Sequence, residues 1–407
     1  MATNVDKFLK ETEKKLQPQF ERIEQIAFKN QKKVLQTFID MRVSSQCFAG
    51  TTGYGYDDVG RDTLAKVYAK VFGGEKAIVS PILTCGTHAI TTVLYGLLRA
   101  GDTMLSVTGL PYDTLHETLF GKGNSSLEDY GVKYKQIDLN EDSTFKLDEI
   151  YSAIKEINPK VVYLQRSRGY SSRKALSPYD MKELFDNVKK LSKDCFIVVD
   201  NCYGEFVDDI EPTDVGADVI VGSLIKNPGG GLAPTGGYIV GSEKAIYLIS
   251  TRYTNPSLKL EVGSFEMGYR LFYQGLFLAP HTVAQALKGT ALVGQIMQDK
   301  GYKVIPSNQE KPEDIVKSVV FNTAEELIKF VQTVQTVSPI DGYVLPLAWD
   351  MPGYQDKVIM AAGTFVGGSS IELSCDSPIR APYIAYFQGG LTYEHVKAFA
   401  EKLIEIY

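Results

Sequence analysis

Little in this chain suits metal or disulfide chemistry. Its 407 residues include only four histidines and five cysteines. His88, His116, His281 and His395 never stand at the i, i+4 spacing that sets two ligands on one helix face, so no metal site is expected. Cys47, Cys85, Cys195, Cys202 and Cys375 are odd in number and lack C-x-x-C spacing, which fits a reducing cytoplasmic compartment better than a disulfide framework. No run reaches the ~18 apolar residues of a membrane span, and the charged N-terminal stretch lacks the apolar core of a secretory signal. Excess charge of one sign is missing too. A net charge of −6 with both signs interspersed gives nucleic acid and anionic membrane no electrostatic reason to bind. There is no G-x-x-x-x-G-K-[ST] loop, no G-x-G-x-x-G after a strand and no G-x-S-x-G elbow, so nucleotide hydrolysis and serine-hydrolase chemistry lose their usual carriers.

What is present is a regular alternation of strand and helix. Residues 5–42 read as amphipathic helix, with Leu16, Phe20, Ile23, Ala27, Val34, Leu35 and Phe38 at helical spacing and Pro18 starting a second helix. The stretch "GTTGYGYDDVGRD" then breaks the pattern as a loop. Strand-like runs follow at 77–81, 104–107, 134–138, 161–165, 195–200, 219–224 and 237–241, with helix-period segments at 88–99, 145–157 and 178–192 between them. Short apolar strands alternating with helices predict a mainly parallel, seven-stranded sheet covered on both faces. The division expected is an N-terminal helical arm over 1–50, a large domain over 51–250, connecting helices over 251–302 and a smaller α/β domain over 303–407.

In such sheets ligands lie beyond the carboxyl ends of the strands. Gly86, Thr87 and His88 open a helix after the first strand, and free N–H groups beside a hydroxyl there suit an anion. Tyr112 stands in a proline turn after the second. Asp200 closes "CFIVVD", a strand too apolar to hold a carboxylate without a partner. Ser223 and Lys226 follow "VIVG". An ordinary helix cap, a surface tyrosine or a solvated loop lysine would explain each alone. Together at one sheet edge they match what pyridoxal phosphate needs. The aldehyde needs an amine for its Schiff base, here Lys226. The pyridine nitrogen needs a carboxylate, here Asp200, so that the ring withdraws electrons. The phosphate needs N–H and hydroxyl donors, and the ring face needs an aromatic.

The order of these elements resembles the fold-type I pyridoxal-phosphate enzymes, specifically the Cys/Met-metabolism family of cystathionine and methionine lyases, over residues 50 to 400. "CGTHA" stands at that family's phosphate loop, "PYDTLHETL" at its stacking tyrosine, "DNCYGEF" at its D-N-T-[FW] and "GSLIKNPGG" at its S-[AV]-T-K-[YF]. A more specific resemblance, at "GYGYDD", "CGTHA", "QRSRGY", "GSLIKNPGGGLAPTGGYI" and "YQGLFLAPH", is to the methionine-γ-lyase-like family known as aluminium resistance proteins. The resemblance implies a large cofactor-binding domain with a small C-terminal domain. It implies a carbon–sulfur lyase acting on a sulfur-containing amino acid, in which Lys226 takes the α-proton and Tyr112, its pKa lowered by cations, serves as acid and base. Tyr56, with Tyr54 next, would reach the cofactor phosphate of a neighbouring subunit, making a homodimer with shared sites and a plausible homotetramer. Arg380, in "SPIRAPY", would clamp the substrate carboxylate, and Arg166 and Arg168 of "QRSRGYSSR" would lie near the cofactor or substrate. Tyr203, three residues after Asp200 as in many aminotransferases, could bond the cofactor's phenolic oxygen. Transamination and a non-catalytic cofactor-binding role therefore stay open.

Overall fold

The computed structural model describes residues 4–351 and 354–407. Seven strands make the main sheet: β1 (Lys76–Ser80), β2 (Thr103–Ser106), β3 (Lys133–Gln136), β4 (Val161–Gln165), β5 (Phe196–Asp200), β6 (Val219–Ser223) and β7 (Gly237–Gly241). Their order is β1-β7-β6-β5-β4-β2-β3, and β7 alone runs against the others. β4 to β7 are buried along their whole length, which is why they read as continuous apolar runs rather than alternating ones.

Side chains still alternate between the two faces. Val162, Leu164, Ile197, Val199 and Ile220 join one core, and Val161, Tyr163, Phe196, Val198 and Val219 join the other. The first face is covered by α2 (Val59–Val71), α5 (Leu147–Ile157), α6 (Pro178–Leu191) and part of α8 (Arg270–Asp299). The second is covered by α3 (Gly86–Leu97) and α7 (Glu243–Tyr253), while α4 (His116–Phe120) is a single turn at its margin.

A separate antiparallel sheet, β8 (Lys303–Ile305), β9 (Val316–Phe321), β10 (Val358–Ala361), β11 (Ser374–Pro378) and β12 (Tyr383–Gln388), has the order β10-β11-β12-β9-β8. One of its faces packs on α9 (Ala324–Gln335) and α10 (Tyr393–Ile406) through Val319, Cys375, Ala385 and Phe387. The other turns toward the carboxyl edge of the main sheet. The fold is therefore the mixed α/β type expected, with a mainly parallel large sheet and a smaller second one.

Two helices tie the cores together. Residues of α8 up to Leu287 belong to the large core and those from Ala291 to Met297 to the small one. α1 (Asn4–Asp40) does the same, with Leu9, Leu16 and Phe20 in the small core and Ile23 and Val34 in the large one. Pro18 does not start a second helix: α1 continues through it. The lost N–H bond is tolerated because Leu16 and Phe20 on either side are both anchored by burial. Leu35, expected on the apolar face, is 48% exposed, as are its neighbours Phe28 and Ile39 to a greater degree. Among the described residues no helix is long and apolar enough to cross a membrane.

Candidate active site

The parallel strands deliver their carboxyl ends to a cavity of about 450 Å³ between the two sheets. Gly86, Thr87, Tyr112, Gln165, Asp200, Tyr203, Ser223 and Lys226 line its large-domain side, and Asp376 and Tyr386 its small-domain side. Strand register does much of the positioning. Gln165 at the end of β4 pairs with Asp200 at the end of β5, and the Gln165 Oε1 accepts a 2.8 Å hydrogen bond from the Tyr112 N–H. The turn that holds Tyr112 is thus pinned to the sheet edge.

Lys226 and Asp200 stand in the same cavity, and both keep bonding capacity in reserve. Among the described residues Lys226 Nζ has no hydrogen bond or ion pair; its recorded neighbour is the Tyr203 ring, 4.1 Å from nitrogen to centroid. Burial alone would lower its pKa, but Cys202, Tyr203, Asp200 and Glu205 around it outweigh burial and hold the amine above the ordinary lysine range. Asp200 is 6% exposed, and its Oδ1 accepts from the Cys202 N–H at 3.1 Å. Burial raises its pKa, and Lys226 together with the bonds from Cys202 pulls the other way. The glycine run after Lys226 locks the lysine loop down. Gly230 has φ +55°, and a Cβ there would stand 2.3 Å from the Gly275 carbonyl oxygen of α8, so only glycine allows this approach.

At the other side α3 begins with Cys85 as its cap. Gly86 abuts Ser223 and Cys202, and the Thr87 hydroxyl lies 2.8 Å from that of Thr114. The helix N-terminus, Thr87 and Ser223 therefore form one donor group at the rim. His88 does not join it. Its ring is exposed and its Nδ1 accepts from the Thr84 N–H at 3.2 Å, while its own N–H is taken by the Cys85 sulfur.

A family model for methionine gamma-lyase matches residues 5–407. The chain belongs to the methionine gamma-lyase family. The uncharacterised YnbB of Bacillus subtilis is 48% identical over 380 residues, 92% of this chain and 90% of that protein. A solved carbon-sulfur lyase involved in aluminium resistance from Clostridium novyi is 49% identical with a TM-score of 0.94, covering 99% of this chain and 96% of that one. A pyridoxal-5'-phosphate dependent protein, YhfS of Escherichia coli, shares the fold at 16% identity and a TM-score of 0.60, over 95% and 97% of the two chains.

The three arginines that resemblance to this family pointed to are placed differently from one another. Arg380 lies outside the cavity lining, with its side chain 47% exposed and paired to Asp356 at 2.8 Å. It follows β11, and its charge still reaches Tyr386 of the cavity wall. Arg166 is fully buried behind the sheet edge. It donates to Leu176 O at 3.1 Å and Asn201 Oδ1 at 2.9 Å and faces Asp208 and Glu211 at 3.6 and 3.5 Å. A Cβ on Gly204 would strike its guanidinium, which explains that glycine. Arg168 does line the cavity, but its donors go to Asp314, Ile305 O and Ser318. It ties the "QRSRGY" loop to the small domain.

Tyr54 and Tyr56 are 66% and 56% exposed, stack on each other at 5.4 Å and do not line their own chain's cavity. Their loop is nonetheless fixed, since Gly263 N donates to Tyr54 O at 3.0 Å and Ser264 Oγ to Gly53 O at 2.8 Å. The pKa of Tyr112 moves opposite to expectation. Burial, then Tyr354 and Asp376, push it well above the ordinary tyrosine value. That hydroxyl is 2.6 Å from the Tyr354 hydroxyl. Sequence reasoning missed Gln165, Tyr170, Tyr354, Asp376 and Tyr386. Gln165 and Tyr170 lie inside "QRSRGY", the quoted stretch that could have pointed to them.

Proposed function

We propose that this member of the methionine gamma-lyase family is a pyridoxal-phosphate-dependent carbon–sulfur lyase acting on a sulfur-containing amino acid. The observation that carries the reading is the buried amine of Lys226 and the buried carboxylate of Asp200, each incompletely bonded, in one cavity with a helix N-terminus at its rim. These residues fit the cofactor. When bound, it supplies an aldehyde for covalent attachment and a ring that accepts electrons from the substrate. Among the described residues Lys226 is the only lysine lining the cavity. It would hold the aldehyde and, once exchanged for the substrate's amino group, take the proton from Cα. Asp200 would keep a proton on the ring nitrogen. Gly86, Thr87 and Ser223 would receive the phosphate. Tyr112 keeps its own proton at neutral pH, so its hydroxyl serves as a donor and not as a base.

The exposed stack of Tyr54 and Tyr56 supports a dimer with shared sites. Aromatic side chains held outward on a fixed loop suit insertion into a second copy's cavity, and two such dimers would make the tetramer. The activity is tested by incubating purified protein with methionine, cystathionine, cysteine and homocysteine and assaying 2-oxo acid, ammonia and thiol together. Release of all three from one substrate is the expected result. A 2-oxo acid without thiol or ammonia, with the cofactor recovered in its amine form, assigns an aminotransferase instead. No product from any of them, with cofactor bound, leaves a binding role.

A further inference from the structure

The substrate side of the cavity is walled by one carboxylate and four tyrosines. Asp376 on β11 pairs across the strands with Tyr386 and accepts a 2.7 Å hydrogen bond from the Tyr170 hydroxyl. The Tyr170 ring centroid lies 5.1 Å from that of Tyr386, 5.7 Å from Tyr354 and 5.8 Å from Tyr112. All five side chains line the cavity that holds Lys226.

The charges there do not balance for an ordinary amino acid. Among the described residues lining the cavity the cations are Lys226 and Arg168 and the anions are Asp200 and Asp376. Arg168 is matched by Asp314. On the lyase reading Lys226 and Asp200 are both engaged by the cofactor, which leaves Asp376 unmatched. A neutral thioether side chain would leave this carboxylate buried without a counter-charge, a costly state. A cation would answer both the carboxylate and the electron-rich tyrosine faces.

We infer that the pocket selects amino acids whose departing sulfur side carries a positive charge, as an ammonium or as a sulfonium. The inference rests on the lyase reading and names its substrate class. Burial raises the Asp376 carboxyl, against the pull of its bond from Tyr170 and the charge of Lys226, to about 6, and a substrate cation beside it would favour the ionised form further. A sulfonium also suits the tightly held proton of Tyr112. Lys226 removes the α-proton and, where sulfur stands on Cγ, a proton from Cβ as well, and the carbon–sulfur bond then breaks with both electrons going to sulfur. A neutral thioether then leaves without needing a proton. Each turnover consumes the sulfonium amino acid and one water and yields thioether, 2-oxo acid, ammonium and a proton. In an ammonium-bearing substrate the sulfur departs as a thiol, its proton given by the Tyr112 hydroxyl and restored to Tyr112 from solvent.

The test titrates the holoenzyme with two matched pairs, following the absorbance of the bound cofactor. S-methyl-L-methionine is compared with L-methionine, and S-(2-aminoethyl)-L-cysteine with S-propyl-L-cysteine. The charged member of at least one pair is expected to bind on the order of 10- to 100-fold more tightly, and the pair that shows it identifies the cation. Asp376→Asn is expected to erase that preference while affinity for the neutral members stays within about threefold. Equal affinity within both pairs in the unaltered enzyme overturns the inference without any variant. A preference that survives Asp376→Asn overturns the assignment to this carboxylate. Thiol or thioether release is assayed in parallel. Cation preference without carbon–sulfur cleavage retires the lyase reading and keeps the charge selectivity. Cleavage of all four at one kcat/KM keeps the lyase reading and retires the selectivity.

Discussion

Lys226 Nζ lies 4.1 Å from the ring centroid of Tyr203, and Tyr203 holds that ring in place with a backbone φ of +73°. A left-handed conformation costs a bulky residue about 1–3 kcal/mol, so the turn after β5 is set by its surroundings and not by local preference. Asp200 closes the strand, the Cys202 N–H bonds its carboxylate, and the next residue swings an aromatic face toward the amine. One tight turn thus aims a negative charge and a π face at a single lysine.

Removing that lysine is the most direct check. Lys226→Ala is expected to lose the long-wavelength absorbance of a covalently held cofactor. In the unaltered protein, borohydride reduction and peptide mapping should recover pyridoxyl on Lys226. Label on another lysine would end the reading.

Asp200→Ala should separate binding from catalysis. The phosphate donors of Gly86, Thr87 and Ser223 and the amine of Lys226 remain, so cofactor content is expected to stay high. Turnover is expected to fall on the order of 10²–10³, the scale of losing one preorganised electrostatic contact. Equal turnover in Asp200→Ala and unaltered enzyme would remove the carboxylate from the ring's partners.

These two residues were legible before any geometry because strand ends are. Apolar runs bounded by polar residues located all seven strands, and the rule that ligands collect at their carboxyl ends did the rest. What escaped was set by distance in the chain. Asp376 meets Tyr170 across 206 residues, and Tyr112 meets Tyr354 across 242. No local pattern encodes where a second sheet will fold over the first. Arg380 was legible only as a position. The motif fixed its sequence neighbourhood, while the direction of its side chain follows from the end of β11 and its ion pair with Asp356.

The arginines therefore predict a contrast. Arg380→Ala breaks a half-exposed pair, worth about 0–1 kcal/mol, and KM for amino-acid substrates is expected to change little. Arg168→Ala leaves Asp314 buried and unmatched, a loss on the order of 3–5 kcal/mol, read as a large drop in unfolding midpoint. A large rise in KM for Arg380→Ala would restore it as the carboxylate clamp.

Glu205 makes stability depend on pH. Its side chain is fully buried, and Oε1 accepts from the Tyr238 hydroxyl at 2.7 Å while Oε2 has no partner. Burial raises its pKa from the usual 4.5 to about 8. Between those values the folded chain keeps a proton that the unfolded chain releases. The folded state binds more protons there, so stability falls as pH rises through that window. Glu205→Gln cannot ionise and is expected to gain on the unaltered protein by a few kcal/mol between pH 5 and 8. Parallel melting curves at the two pH values, with an unchanged gap between the proteins, would contradict the assignment.

Tyr112 decides how the departing group is handled. Its ring lines the cavity, and its hydroxyl meets that of Tyr354 at 2.6 Å. Because burial, Tyr354 and Asp376 raise its pKa well above 10, the proton stays on across the working range. Rate profiles should therefore show no alkaline loss from this group up to about pH 10. Tyr112→Phe keeps the ring and deletes the donor. Exchange of the α-proton, which belongs to Lys226, is expected to persist in deuterated water. Release of a thiol is expected to slow by about 10²–10⁴, the range for a lost general acid. A sulfonium substrate, whose thioether leaves without a proton, is expected to slow far less. Equal slowing for thiol and thioether would mean that the hydroxyl positions the substrate and transfers no proton.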